Sequence, residues 1–181
     1  MKSSLLTGDA KRLYHAYYVI ELPHAVVGAA IAAKVGNPAL SLPLALASHF
    51  VLDMVPHWNP HLNREVAKYG HITRTTKYVI GLDVAASLCA GFFIASTALP
   101  DSNRSLLTIP MEALLIILGA FLGVLPDVLE APYFFWRSKS TFLKKLVAFQ
   151  SSMQFNVPII PGLISQLLVI AAAFWWVFGN K

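Results

Sequence analysis

The 181-residue sequence is poor in charge and almost without cysteine. Only 13% of its residues are charged and 56% are hydrophobic, against about 25% and 45–50% in ordinary soluble domains. A water-soluble fold of this size has to cover its core with polar side chains, so that class and intrinsic disorder are both excluded. The single cysteine, Cys89, rules out an intrachain disulfide and any thiolate-based zinc or iron–sulfur site. It lies in an apolar run and reads as an inert, packed thiol. No Asp, Glu, Lys or Arg occurs between 146 and 180, and no histidine follows His71. Also missing are His-Glu-x-x-His, Gly-x-Ser-x-Gly and paired glutamates with a downstream arginine, which removes the common zinc-peptidase and serine-hydrolase signatures. No compact apolar stretch with a small-residue cleavage site precedes His24, so no cleavable signal peptide is expected.

What is present is a series of apolar runs. A membrane span takes about 20 mostly apolar residues, and five runs approach that: 17–35, 38–57, 78–99, 106–125 and 157–178. The expected fold class is therefore all-α, a multi-pass transmembrane helical bundle of about five spans forming one membrane domain over 1–181. The first run is diluted by Glu21, Pro23, His24 and Lys34, and reads either as a kinked span or as a short helix starting at Pro23. The polar stretch 100–105 is a tight turn between the third and fourth runs. Over 137–150, Phe142, Leu143, Leu146, Val147 and Phe149 oppose Lys139, Lys144 and Lys145, the pattern of an amphipathic helix lying at a membrane interface. The aromatics at 133–136 and the pair Trp175-Trp176 suit the two interfaces.

Charge gives an independent reading. If all five runs cross, Lys2, Lys11, Arg12, Arg64, Lys68, Arg74, Lys77, Arg137, Lys139, Lys144 and Lys145 share one side, and only Lys34, Arg104 and Lys181 face the other. The positive-inside rule makes the rich side cytoplasmic. The N-terminus is expected inside, in an inner (cytoplasmic) membrane, and the net charge of +5 reflects topology. Membrane lipids, and not nucleic acid, are the expected partners.

Ionisable residues inside spans are costly and mark function or pairing. On the expected topology Glu21, His24, His49, Asp53, His57, Asp83, Asp127 and Glu130 all fall at one membrane depth, with Glu112 apart near the other face. His49, Asp53 and His57 recur every four residues, so on one helix they form a ladder drifting about 40° per step, although Pro56 disturbs its last turn. Imidazole and carboxylate without thiolate suit zinc, manganese or iron. A single ladder cannot close a coordination sphere; His24, Asp83 and Asp127 are the candidates to complete it. The alternatives are a hydrogen-bonded polar seam between helices or a proton or ion path. Asp127 after Pro126 also reads as the N-cap of a following helix. Gln150 and Gln154 read as interhelical hydrogen-bonding residues.

Pro23-His24-Ala-Val-Val-Gly28, His49-x-x-x-Asp53-x-x-Pro56-His57 and Leu125-Pro126-Asp127 resemble the motifs of small bacterial inner-membrane proteins described as membrane-bound metal-dependent hydrolases of the YdjM type. The resemblance covers roughly residues 23–130 and rests on short motifs. It implies a multi-pass membrane protein with a metal site carried by His24, His49, Asp53, His57 and Asp127. The sequence departs from that pattern where a further Asp-His and a later His-Arg-x-x-x-His stretch are absent after Asp127, leaving Glu130 and Asp83 to supply what is missing. The functional expectation is a hydrolase with a divalent ion, zinc first, acting at the cytoplasmic face on a lipid ester or a membrane-associated substrate. Glu21, Asp83 and Glu130 are its candidate general bases. The alternatives are an assembly or regulatory protein with a structural polar cluster, and an ion or proton transport component.

Overall fold

A computed structural model describes residues 20–60, 62–97 and 110–179, and among these all regular structure is helical. The elements are α1 (Leu22–Val35), α2 (Pro38–Asp53), α3 (Leu62–Tyr69), α4 (Arg74–Thr97), α5 (Met111–Phe135), α6 (Thr141–Met153) and α7 (Ile159–Phe178). α4, α5 and α7 are long and apolar enough to cross a membrane. The stretches 1–19 and 98–109, with the polar turn at 100–105, lie outside the described residues.

Burial is inverted relative to a soluble protein. Leu82, Leu88, Phe92, Leu167, Leu168 and Trp175 are exposed, while Glu21, His24, His49, Asp53, Asp83, Asp127, Glu130 and Gln150 are buried. Contiguous apolar surface on this scale marks a face made for something other than water.

α1 is the innermost element and touches α2, α4, α5 and α7. It is rich in Ala and Gly because its neighbours come too close for larger residues. A Cβ on Gly28 would lie 2.3 Å from the carbonyl oxygen of Gly119, and one on Gly119 would lie 2.5 Å from Cβ of Ala32. Small residues four apart on two helices allow this backbone approach, as in membrane helix pairs. The same packing continues to Gly123, where a Cβ would meet the carbonyl oxygen of His24 at 2.4 Å. Thus the glycines that join α1 to α5 also bring His24 level with the middle of α5, one turn before Asp127.

Several boundaries differ from the sequence expectation, each for a physical reason. α1 starts at Leu22 with a proline in its first turn, where the missing amide is harmless; its 14 residues rise only about 21 Å. α2 opens on Asn37, whose Oδ1 accepts from the Ala39 amide at 2.9 Å, and it ends at Asp53, short of 57. The chain then turns before Pro56, so His57 is off the helix and the expected three-rung ladder has two rungs. α5 runs through Pro126 and Pro132 to Phe135, where the sequence suggests an end at 125; Asp127 is therefore mid-helix and not an N-cap. Each proline leaves the carbonyl four residues before it without its helical partner, a cost tolerated in an apolar helix packed as closely as α5 is on α1 and α2. Separately, the Pro126 carbonyl accepts from Gln150 at 3.3 Å. α5 ends where Arg137 takes a positive φ of 52° and the Ser138 amide donates back to the Pro132 carbonyl at 3.1 Å. That turn is why the amphipathic helix begins at Thr141 and not at 137. The polar helix α3 falls in a stretch that reads as loop. Cys89 is exposed, which corrects the expectation of a packed thiol.

Candidate metal centre

The first turn of α1, the last turn of α2, the last third of α5 and the end of α6 meet at one end of the bundle. His24 and His49 lie with ring centroids 4.5 Å apart and planes tilted by 43°. His49 and Asp53, one turn apart on α2, bring Nε2 and Oδ2 to 3.5 Å. Nε2 of His24 lies 3.8 Å from Asp53 Oδ1. From α5, Asp127 Oδ1 lies 3.6 Å from Nε2 of His49. One potential ligand atom from each of His24, His49 and Asp53 falls within 4.8 Å of the others. Ligand distances of about 2.0–2.2 Å around a tetrahedral ion put neighbouring ligand atoms roughly 3.3–3.6 Å apart, the spacing that His49 keeps to both aspartates. The group His24, His49 and Asp53 could hold a metal ion, with Asp127 beside it.

The electrostatics favour a cation there. Both carboxylate oxygens of Asp53 and both of Asp127 are buried without a hydrogen-bond partner, as are Nδ1 of His24, Nε2 of His57 and Oε2 of Glu21. Every lysine and arginine whose side chain is described is exposed, so among the described residues no buried basic side chain neutralises these acids. Removing an unpaired carboxylate from water costs several kcal/mol, and the cluster holds more than one.

His49 is held on both sides. Its Nδ1 lies 2.8 Å from the Gly123 carbonyl, the second contact that orients a metal-binding imidazole and leaves Nε2 to face the ligands. Nε2 also lies 2.9 Å from Oε1 of Gln150, an acceptor like the Gly123 carbonyl. Both contacts are hydrogen bonds only while the ring carries a proton on each nitrogen, and an ion on Nε2 takes the place of the Gln150 contact. The amide nitrogen of Gln150 donates to the Pro126 carbonyl and to Oε1 of Glu130, which sets the orientation of that side chain. Gln150 is thus a member of the cluster that sequence reasoning gave only an interhelical role; its signal is a glutamine at the end of an amphipathic stretch.

The remaining candidates are distributed as follows. Asp83, reaching in from α4, accepts the amides of Glu21 at 2.7 Å and Leu22 at 3.1 Å, so it caps α1 from another helix. Glu21 is buried within electrostatic reach of Asp127, Asp83 and Asp53. Glu130 is buried and tied to Gln150. His57 is buried with Nδ1 2.6 Å from the Val55 carbonyl, and it lines a small gap together with His24, Ser165 and Gln166. Its backbone pairs with the strand-like stretch after α6: the His57 amide donates to Phe155 and the Val157 amide to His57, while the Phe155 amide donates to Asp53. Asn59, not anticipated, is buried and accepts the Ile20 amide at 3.0 Å. Glu112 and His71 are exposed and apart from the cluster.

Comparison with protein-family models, with curated proteins and with solved structures gives no match to this chain.

Proposed function

We propose that this chain is a multi-pass protein of the bacterial inner membrane, similar to the YdjM-type proteins, that binds a divalent ion and hydrolyses a lipid ester or membrane-associated substrate at the cytoplasmic face. One observation carries the reading: the buried carboxylates of Asp53 and Asp127, whose oxygens have no hydrogen-bond partner, lie 3.5 and 3.6 Å from Nε2 of His49, and among the described residues no lysine or arginine is buried beside them. Zinc is the first candidate for His and carboxylate ligands, with manganese and iron behind it. His24, His49 and Asp53 form the core of the ligand set, with Asp127 and His57 as the further ligands. The chemistry such an ion supplies is a bound water acidified from about 15.7 towards about 7 and a polarised ester oxygen. Of the three acids proposed as general base, Asp83 is committed to the α1 amides and Glu130 to Gln150. Glu21 keeps a free oxygen and suits the role best.

Five crossings with the N-terminus inside follow from the distribution of basic residues. α1 and α2 are shorter than the roughly 30 Å hydrocarbon core, so each would cross where the bilayer thins around it, with the turn at 54–57 following α2 at the cytoplasmic side. Irregular backbone at membrane depth is tolerated where protein satisfies it, and the pairing of 53–57 with 155–157 does that.

The test is purification in lipid nanodiscs, with ion content and lipid consumption followed together. Stoichiometric ion, ester cleavage lost on chelation and restored by zinc, and a Glu21→Gln protein that keeps its ion but not its turnover support the proposal. A loaded protein that consumes no lipid contradicts the hydrolase. A cysteine at Asn37 in a Cys89→Ser background should label only from the outer side; labelling from inside contradicts the topology. A second reading is favoured by His49, whose two nitrogens face the Gly123 carbonyl and Gln150: the cluster locks helices together and binds nothing. It requires that His49→Ala and Asp53→Ala lower stability in a protein carrying no ion.

A further inference from the structure

The polar end of the bundle converges on His49, and the hydrogen-bond donors around it do not match the acceptors. Its Nδ1 faces the Gly123 carbonyl at 2.8 Å. A carbonyl only accepts, so in a neutral ring Nδ1 carries the proton and Nε2 presents a lone pair. Three oxygens surround that lone pair: Oε1 of Gln150 at 2.9 Å, Oδ2 of Asp53 at 3.5 Å and Oδ1 of Asp127 at 3.6 Å. An amide oxygen and ionised carboxylates are acceptors as well, and His49, Asp53 and Gln150 are all 0% exposed. Four lone-pair atoms thus face one another away from water. A cation among them turns their mutual repulsion into attraction.

The orientation of Gln150 is fixed independently of His49. Its amide nitrogen donates to the Pro126 carbonyl at 3.3 Å and to Oε1 of Glu130. Turning the amide over would set its oxygen against the Pro126 carbonyl, which has no proton to give, so Oε1 has to face His49. Gln150 also comes from an element of its own. His24 is on α1, His49 and Asp53 are on α2, Asp127 is on α5 and Gln150 is on α6, so each of the four helices that meet here brings a ligand-type atom.

We propose that Gln150 is itself a ligand of the ion, bound through its amide oxygen, and that it adapts the site to a six-coordinate ion of the manganese(II) class. The proposal rests on the metal reading above and goes beyond it by assigning Gln150 to the ion and not only to the orientation of its neighbours. With His24, His49, Asp53 and Asp127, it takes the protein ligands past the four of a closed tetrahedral zinc site. Carbonyl and carboxylate oxygens suit manganese, whereas zinc sites draw on thiolate, imidazole and carboxylate. Six ligands at about 2.1 Å stand roughly 3.0 Å from their neighbours. The 2.9 Å between Gln150 and His49 matches that spacing, and the two aspartates stand wider.

The experiment uses the full chain, grown with glutamine carrying carbon-13 at the side-chain carbonyl and placed in lipid nanodiscs with manganese(II) alone. Electron–nuclear double resonance should show a carbon-13 coupling beside the imidazole nitrogen couplings, and Gln150→Leu should remove the carbon-13 coupling. In binding measured for each metal separately, Gln150→Leu should lower manganese affinity about tenfold further than zinc affinity, as loss of an oxygen ligand suited to manganese requires. If leucine prevents folding, Gln150→Asn, one carbon shorter, makes the same comparison. Nitrogen couplings without a carbon-13 coupling, or equal losses for both metals, overturn the ligand and leave the metal centre standing. A wild-type chain that takes zinc and refuses manganese does the same. One that binds neither metal overturns both.

Discussion

At the end of the bundle where α1 turns into α2, the interior is made of Ala29, Ala30, Ala32, Ile94, Ile116 and Val177, all buried and apolar; at the other end it is made of histidines, aspartates, glutamates and a glutamine. The same helices pass through both. Close packing through Gly28, Gly119 and Ala32 holds the apolar end with no polar contact, so the fold has a way of joining these helices that does not need ionisable groups. The polar end keeps carboxylate oxygens without donors, which a device for mere adhesion would have satisfied. The contrast assigns cohesion to one half and leaves in the other a group that could hold an ion.

The sharpest way to break that contrast is Asp53→Ala, which removes the acid lying near both histidines. The ion should be lost altogether, from about one per chain to background by elemental analysis, while helicity by circular dichroism is kept. Retention of the ion would move the site elsewhere. Next in size is Gly119→Val in the apolar half, where the new Cβ meets Ala32 and the Gly28 carbonyl. Overpacking of this kind costs about 1–3 kcal/mol, read as a lower unfolding midpoint in detergent, and the folded fraction should carry its ion as before. Third, Gln150→Ala should weaken ion affinity about 10–100-fold, the usual effect of losing a group that orients a ligand, measured by competition with a chelator.

The smallest effect lies outside both regions. Glu65 on α3 is half-buried, which pushes its carboxyl up, but bonds from the Thr76 hydroxyl and from the amide and hydroxyl of Thr73 outweigh this and hold it below its usual value of 4.5. An acid depressed in the folded state stabilises above its unfolded value and loses that contribution as the pH falls through the folded one. Hydrogen exchange at the start of α4 should therefore quicken as pH drops below about 4.5, after correction for the intrinsic exchange rate. Glu65→Gln should flatten that response and leave ion content alone.

The apolar runs and their ionisable interruptions are readable in the sequence because period and composition follow directly from burial, and His24, His49, Asp53 and Asp127 can be named that way. What cannot be read is set by contacts between distant elements. Pro126 looks like a helix end because proline breaks an isolated helix, yet α5 runs on to Phe135 where it packs against α1 and α2. His57 keeps helical spacing on paper, but Pro56 and the pairing with 155–157 take it off α2. Asp83 looks like a catalytic acid because its capping partners lie about 60 residues away, with no local motif to reveal them. α3 gives no apolar period to read, because most of its eight residues are polar.

X-ray absorption at the metal edge of the purified wild-type protein interrogates the polar end directly. Nitrogen and oxygen neighbours at about 2.0–2.2 Å, with outer-shell imidazole scattering that falls by one ring in His24→Ala, is the expected spectrum. A purified chain with no stoichiometric ion, or one whose ion has no imidazole neighbours, would contradict the assignment of this end of the bundle to metal.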